Sequence, residues 1–119
     1  MTDRKGFRIT SGKGFHVTFA NGWTVSVQFG GGNYCANRDA EIGGDEWESA
    51  GKGGCVDAEV AAWPEGGSLV PLDGDTVKGW QSPAKVLALM NVVAALPASA
   101  TKIPAAELAT LFPPDNDDD

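Results

Sequence analysis

Phe15-His16-Val17-Thr18-Phe19-Ala20-Asn21-Gly22-Trp23-Thr24-Val25-Ser26-Val27-Gln28-Phe29 is the stretch that decides the fold. On either side of Asn21-Gly22, apolar and polar residues alternate with the period of a strand that buries one face. Phe15, Val17 and Phe19 alternate with His16 and Thr18; Trp23, Val25, Val27 and Phe29 alternate with Thr24, Ser26 and Gln28. A two-residue Asn21-Gly22 loop would oppose Val17 to Ser26 and send the two apolar sets to opposite faces. A three-residue loop, Ala20-Asn21-Gly22, opposes Phe19 to Trp23, Val17 to Val25 and Phe15 to Val27. Every large apolar side chain then lies on one face. Such a loop is a type I turn closed by a left-handed residue, and Gly22 stands where glycine is needed. The sequence predicts this hairpin.

Upstream, residues 7–10 read as a short strand joined by the turn Ser11-Gly12-Lys13-Gly14, so the chain opens as a β-meander. Downstream lies a glycine-rich loop, residues 30–54, holding half of the chain's 16 glycines. A loop of that length in a compact domain is functional or disordered in most proteins. Trp47 is expected to pin its middle. Regular alternation resumes at 55–63, with Val56, Ala58, Val60 and Ala62 on one face and Cys55, Asp57, Glu59 and Trp63 on the other. Pro64-Glu65-Gly66-Gly67 turns the chain, and 68–72 reads as a returning strand, an edge because Pro71 has no N–H. Asp73-Gly74-Asp75 turns it again.

Ser82-Pro83 has the form of a helix start, serine as N-cap and proline in the first turn. The helix runs over 83–96 and stops at Pro97. Only Lys85 and Asn91 interrupt its apolar surface, so it needs cover on all sides. The sheet supplies one side, and the last segment or a second subunit another; a homo-oligomer is expected on that ground. Residues 104–112 read as a short helix with Leu108, Leu111 and Phe112 inward. The acidic tail, 113–119, is expected to be disordered. The expected fold is α+β, a single domain over 1–112: an antiparallel sheet of four to five strands with one main C-terminal helix packed on one face.

Charge narrows the function. The 119 residues carry a formal net charge of −7, which opposes binding to nucleic acid or to an anionic membrane. The N-terminal residues hold no apolar run of signal-peptide length, so a cytoplasmic location is expected, with Cys35 and Cys55 as thiols. Their spacing matches no zinc or thioredoxin motif, and they read as small packing residues.

Catalytic signals are weak. His16, the sole histidine, projects from the polar side of its strand without a sequence signature for a nucleophile. Asp57 and Glu59, two apart on a strand, point the same way; such a pair does acid–base work, holds a metal, or is a solvated strand face. The last reading is preferred. Asp73 and Asp75 bracket a glycine, but the oxygen ligands of a calcium loop are not there. No catalytic residue, metal or cofactor is assigned.

What remains is binding. Gly31 and Gly32 allow close approach and can aim N–H groups at an anion; Asn33 and Asn37 offer amides, Tyr34 a stacking face and Arg38 a forked donor. Trp47, Trp63 and Trp80 are candidate anchors for a partner surface. Alternatively, Tyr34 and the tryptophans complete a small core and Arg38 makes a local ion pair.

The run Phe19 to Gly30, its continuation Gly32-Asn33-Tyr34-Cys35, the segment Ala58-Glu59-Val60-Ala61-Ala62-Trp63-Pro64 and the helix ending at 90–96 resemble small uncharacterised proteins of actinobacterial phages. The resemblance implies an accessory phage gene product in the host cytoplasm, with no activity to carry over. The leading expectation is a non-enzymatic binding protein that engages and inhibits a host protein, a defence protein among the candidates. The alternative is a small-molecule or nucleotide-signal binder using residues 30–38. A small hydrolase ranks third.

Overall fold

The computed structural model describes residues 5–10, 13–38 and 54–113. Trp47, the middle of the glycine-rich segment (39–53), Ser11, Gly12 and the tail from Pro114 onward lie outside the described residues.

Five antiparallel strands form one sheet in chain order: β1 (Gly6–Ile9), β2 (Gly14–Thr18), β3 (Thr24–Gln28), β4 (Ala58–Trp63) and β5 (Lys78–Gln81). Two helices follow, α1 (Pro83–Ala94) and α2 (Ala105–Leu111). The molecule is therefore α+β, with α1 laid across β3, β4 and β5.

The three-residue turn is present. Val17 opposes Val25 and Phe15 opposes Val27. The Phe19 N–H donates to the Trp23 carbonyl at 2.8 Å and the Gly22 N–H to the Phe19 carbonyl at 2.9 Å. Gly22 has φ +90°, and a Cβ there would meet Glu65 Oε1 at 2.6 Å. The conformation calls for glycine, and any larger residue would also have to push the Glu65 side chain aside.

Aligning the apolar sets on one face creates the surface that α1 covers. Trp23, Val25, Val27, Val60 and Ala62 are buried there beneath Val86, Leu89 and Val93 of the helix, and Val70, Leu72, Ile103 and Leu111 close the rim. Ser82 caps α1, its hydroxyl accepting the Lys85 N–H at 3.3 Å, with Pro83 in the first turn. The other end of α1 is tied to the hairpin turn. The Asn21 amide donates to the carbonyls of Val93 (2.9 Å) and Leu96 (2.8 Å), while its own oxygen accepts the Trp23 N–H at 2.9 Å. One side chain thus satisfies carbonyls a helix end leaves open. The Trp23 indole N–H, fully buried, has no partner among the described residues.

α1 is covered by the sheet and by α2, against which the Lys85 ammonium donates to the Leu111 carbonyl at 3.0 Å. Its outward side shows Ala84, Lys85, Asn91, Ala94, Ala95 and one large apolar residue, Leu87. Beyond the reach of α1, Phe7 and Ile9 of β1 are 83% and 81% exposed, Phe7 edge-on to Phe15.

Two expectations change. Residues 68–72 are not a strand: Val70 makes one bond to β4, its N–H to the Ala62 carbonyl at 2.9 Å, and Leu72 turns back to Asp75. Pro71, between them, has no N–H to extend a ladder. The strand beside β4 is Lys78–Gln81. Val56, read as sharing a face with Ala58, Val60 and Ala62, is exposed where those three are buried, because β4 begins only at Ala58. No helix among the described residues is long and apolar enough to cross a membrane.

Candidate functional site

The segment after β3 folds back on itself over residues 30–38. The Asn33 side-chain oxygen accepts the Gly30 N–H (3.0 Å), the Gly30 carbonyl accepts the Asn33 N–H (3.1 Å), and the Arg38 carbonyl accepts the Gly32 N–H (2.7 Å). Gly32 bends the loop in a left-handed conformation, at φ +86°. Buried Asn37 ties both ends of the glycine-rich segment together, donating to the Phe29 carbonyl at 3.0 Å and the Gly54 carbonyl at 2.7 Å. Asn33 and Asn37 are thus structural pins.

Asp57 and Glu59 are not a solvated strand face. Glu59 accepts the Tyr34 N–H at 3.0 Å and the Asn33 side-chain amide at 3.3 Å; Asp57 accepts the Ala36 N–H at 2.7 Å. Glu59 lies in β4 and Asp57 just before it, and the loop hangs its N–H groups on both carboxylates. The anion that this loop holds belongs to the chain itself. Charge-assisted bonds of this kind are shorter and roughly twice as strong as neutral ones.

The far side of the loop meets β5. Ala58 pairs with Gln81 and Val60 with Lys78, so two steps on β4 are matched by three on β5. The extra residue makes a bulge, which frees a backbone group and re-aims a side chain. Here the Trp80 N–H leaves the ladder and donates to the Tyr34 carbonyl at 2.8 Å. Gly79 permits the crossing, since a Cβ there would sit 2.5 Å from Tyr34 Cβ. Trp80 has φ +52°, the only positive φ of a non-glycine among the described residues. That conformation costs an L-residue about 1–2 kcal/mol.

Strain and bulge together present an aromatic pair. The Tyr34 and Trp80 rings stack with centroids 5.7 Å apart and planes 16° off parallel, and the Arg38 guanidinium stands 5.9 Å from the Tyr34 centroid. Yet Tyr34 remains 47% and Trp80 53% exposed. Tyr34 and Arg38, read from the sequence as ligand contacts, and Trp80, read as a partner anchor, form a single patch. Gly31 and Gly32 shape the loop beneath it. Trp63 stands elsewhere, half-buried with its ring 5.0 Å from His16 and nearly perpendicular to it. His16 also pairs with Arg8, Nδ1 lying 3.1 Å from the guanidinium. Asp57 and Glu59 are engaged instead by the backbone of the 30–38 loop.

Beneath the aromatic patch, Cys35 and Cys55 come together with Asp57; one ligating atom from each lies within 4.8 Å of the others. Cys35 is 1% exposed. Burial pushes its thiol up to about 11; the Asn37 backbone N–H opposes the rise, and nearby Cys55 and Asp57 add to it. Protonated at neutral pH, Cys35 is no nucleophile. The sequence held half of this cluster, since strand alternation sets Cys55, Asp57 and Glu59 on one side. It gave no sign that Cys35 closes the cluster, or that Gly79 admits the loop.

A cleft of about 220 Å³ opens beside Cys55 and Asp57, walled by Phe15, Val27, Val56, Pro83 and Val86. Comparison of the chain with protein-family models, curated proteins and solved structures finds no match.

Proposed function

We propose that this chain is a non-enzymatic binding protein whose contact surface is Tyr34, Trp80 and Arg38, and whose counterpart is another protein. The observation that carries this reading is Trp80: a half-exposed tryptophan held at φ +52° by its backbone bond to Tyr34. Backbone strain of this kind persists where surrounding structure imposes it, and it clusters at functional sites. Trp, Tyr and Arg are the residues most enriched among interface hot spots. The chain as a whole carries a net charge of −7, which favours a partner with a basic surface. The resemblance to actinobacterial phage proteins supports taking that partner from the bacterial host, with binding as the means of blocking it.

Small-molecule binding through a loop nest has less support. The Tyr34 and Ala36 N–H groups are already taken by Glu59 and Asp57, and a phosphate would have to displace two carboxylates.

A photo-crosslinking residue at exposed Ala36, between Tyr34 and Arg38, tests the proposal in host lysate, beside the same probe at exposed Asn91. The expected result is one protein captured from position 36 alone, and lost when Tyr34→Ala and Arg38→Ala are added. Equal capture from both positions, or none from position 36, overturns it.

A further inference from the structure

We propose that Cys35, Cys55 and Asp57 form a binding site for one zinc-class divalent ion, which staples the 30–38 loop to the start of β4. Tetrahedral zinc, with bonds of about 2.3 Å to sulfur and about 2.1 Å to a carboxylate oxygen, sets sulfur and oxygen ligands about 3.6 Å apart. Cys55 Sγ stands 3.6 Å from Asp57 Oδ1, and no ligating atom of the three is more than 4.8 Å from another. Small side-chain rotations suffice to close the set on an ion.

The donor set selects the metal class. Two sulfurs exclude the hard ions calcium and magnesium, which require oxygen shells, while one carboxylate disfavours copper(I). Outer groups already orient the ligands, as metal sites require: the Ala36 N–H binds Asp57 Oδ1 at 2.7 Å, and the Asn37 backbone N–H faces the Cys35 sulfur. The cleft that reaches Cys55 and Asp57 gives an entry path and room for a water as fourth ligand. On binding, each thiol releases its proton to solvent and two metal–sulfur bonds form, with no change of oxidation state.

This inference does not depend on the protein partner proposed above, and its test measures metal alone. The full chain, purified under a non-chelating reductant and freed of metal, is titrated with Co²⁺ and then Zn²⁺. The expected result is one Co²⁺ per chain, with thiolate-to-cobalt charge-transfer absorption that Zn²⁺ displaces.

Altering a group that only orients a ligand lowers affinity by about 10–100-fold, so Cys55→Ser, which removes a ligand, is expected to cost more than about 100-fold. Asp57→Asn, retaining one oxygen, is expected to cost about 10-fold. Cys55 is only half-buried, and a far-UV spectrum of each variant matching the parent establishes that it folds. Absence of the charge-transfer band overturns the proposal. So does a band unchanged in Cys55→Ser, which puts the ion elsewhere, or a chain isolated from cells with Cys35 and Cys55 joined as a disulfide.

Discussion

The β2–β3 hairpin and the 30–38 loop are neighbours in the chain and are held together by opposite means. The hairpin is specified by its own residues. Alternation chooses the face, Gly22 chooses the turn, and burial of Trp23, Val25 and Val27 supplies the driving force. The loop has little apolar surface of its own to bury beyond Cys35. It takes shape because distant groups grip it: Glu59 and Asp57 on one side, Gly79 and Trp80 on the other. A hydrophobic core is held by the sum of its buried surface and, here, carries one unpartnered indole N–H, whereas a polar clamp depends on its individual partners. The lesson is that the molecule draws its stability from one region and exposes its aromatic patch on another.

The hardest blow to that division is Trp23→Ala. Truncating a fully buried tryptophan is expected to cost about 3–5 kcal/mol, enough to unfold sheet and helix together in a denaturant titration. If the loop kept its protection from hydrogen exchange in that variant, the two regions would not be related as scaffold and dependant.

Glu59→Ala strikes the clamp instead. It leaves the Tyr34 N–H and the Asn33 amide without their acceptor, at about 1–3 kcal/mol. The expected signature is fast amide exchange confined to residues 30–38, with the hairpin amides unchanged. Uniform loss of protection would show that loop and sheet unfold as one unit.

Trp80→Gly sharpens the comparison with the smallest effect on stability. Glycine relieves the positive φ, a gain of about 1 kcal/mol, and forfeits the stack on Tyr34, a loss of about 0.5–1.5 kcal/mol. The melting temperature is expected to move by no more than a few degrees, while capture of the partner is abolished. A fall of 10 °C or more would make Trp80 a structural residue and remove the argument for its role in binding.

This division also explains what could be read from the sequence. The hairpin register followed from fifteen contiguous residues, because turn and pattern are local. The N-cap of α1 at Ser82 was legible for the same reason. The fifth strand was not. Lys78–Gln81 has four residues, one of them glycine, and acquires strand form only from β4 and a bulge. Residues 68–72 carry a more strand-like pattern, which Pro71 cuts short. At the site, Tyr34, Arg38 and Trp80 were each visible as residue types, but their assembly was not. Tyr34 and Trp80 lie 46 positions apart, and the bond that joins them passes through the Tyr34 carbonyl, which no side chain announces. Asp57 and Glu59 were visible as a pair, and their role was hidden because the N–H groups they bind belong to the backbone.

Asn21 carries a consequence for the order in which the chain assembles. The last turn of α1 contains no basic residue, and its carbonyls are met by a side chain 72 positions earlier. A hairpin closes within about 1–10 μs, whereas contacts between such distant residues wait for a large entropy loss to be recovered. The Asn21 bonds to Val93 and Leu96 can therefore form only when the turn and the helix end have met. Asn21 ties full satisfaction of the helix end to the docking of the hairpin.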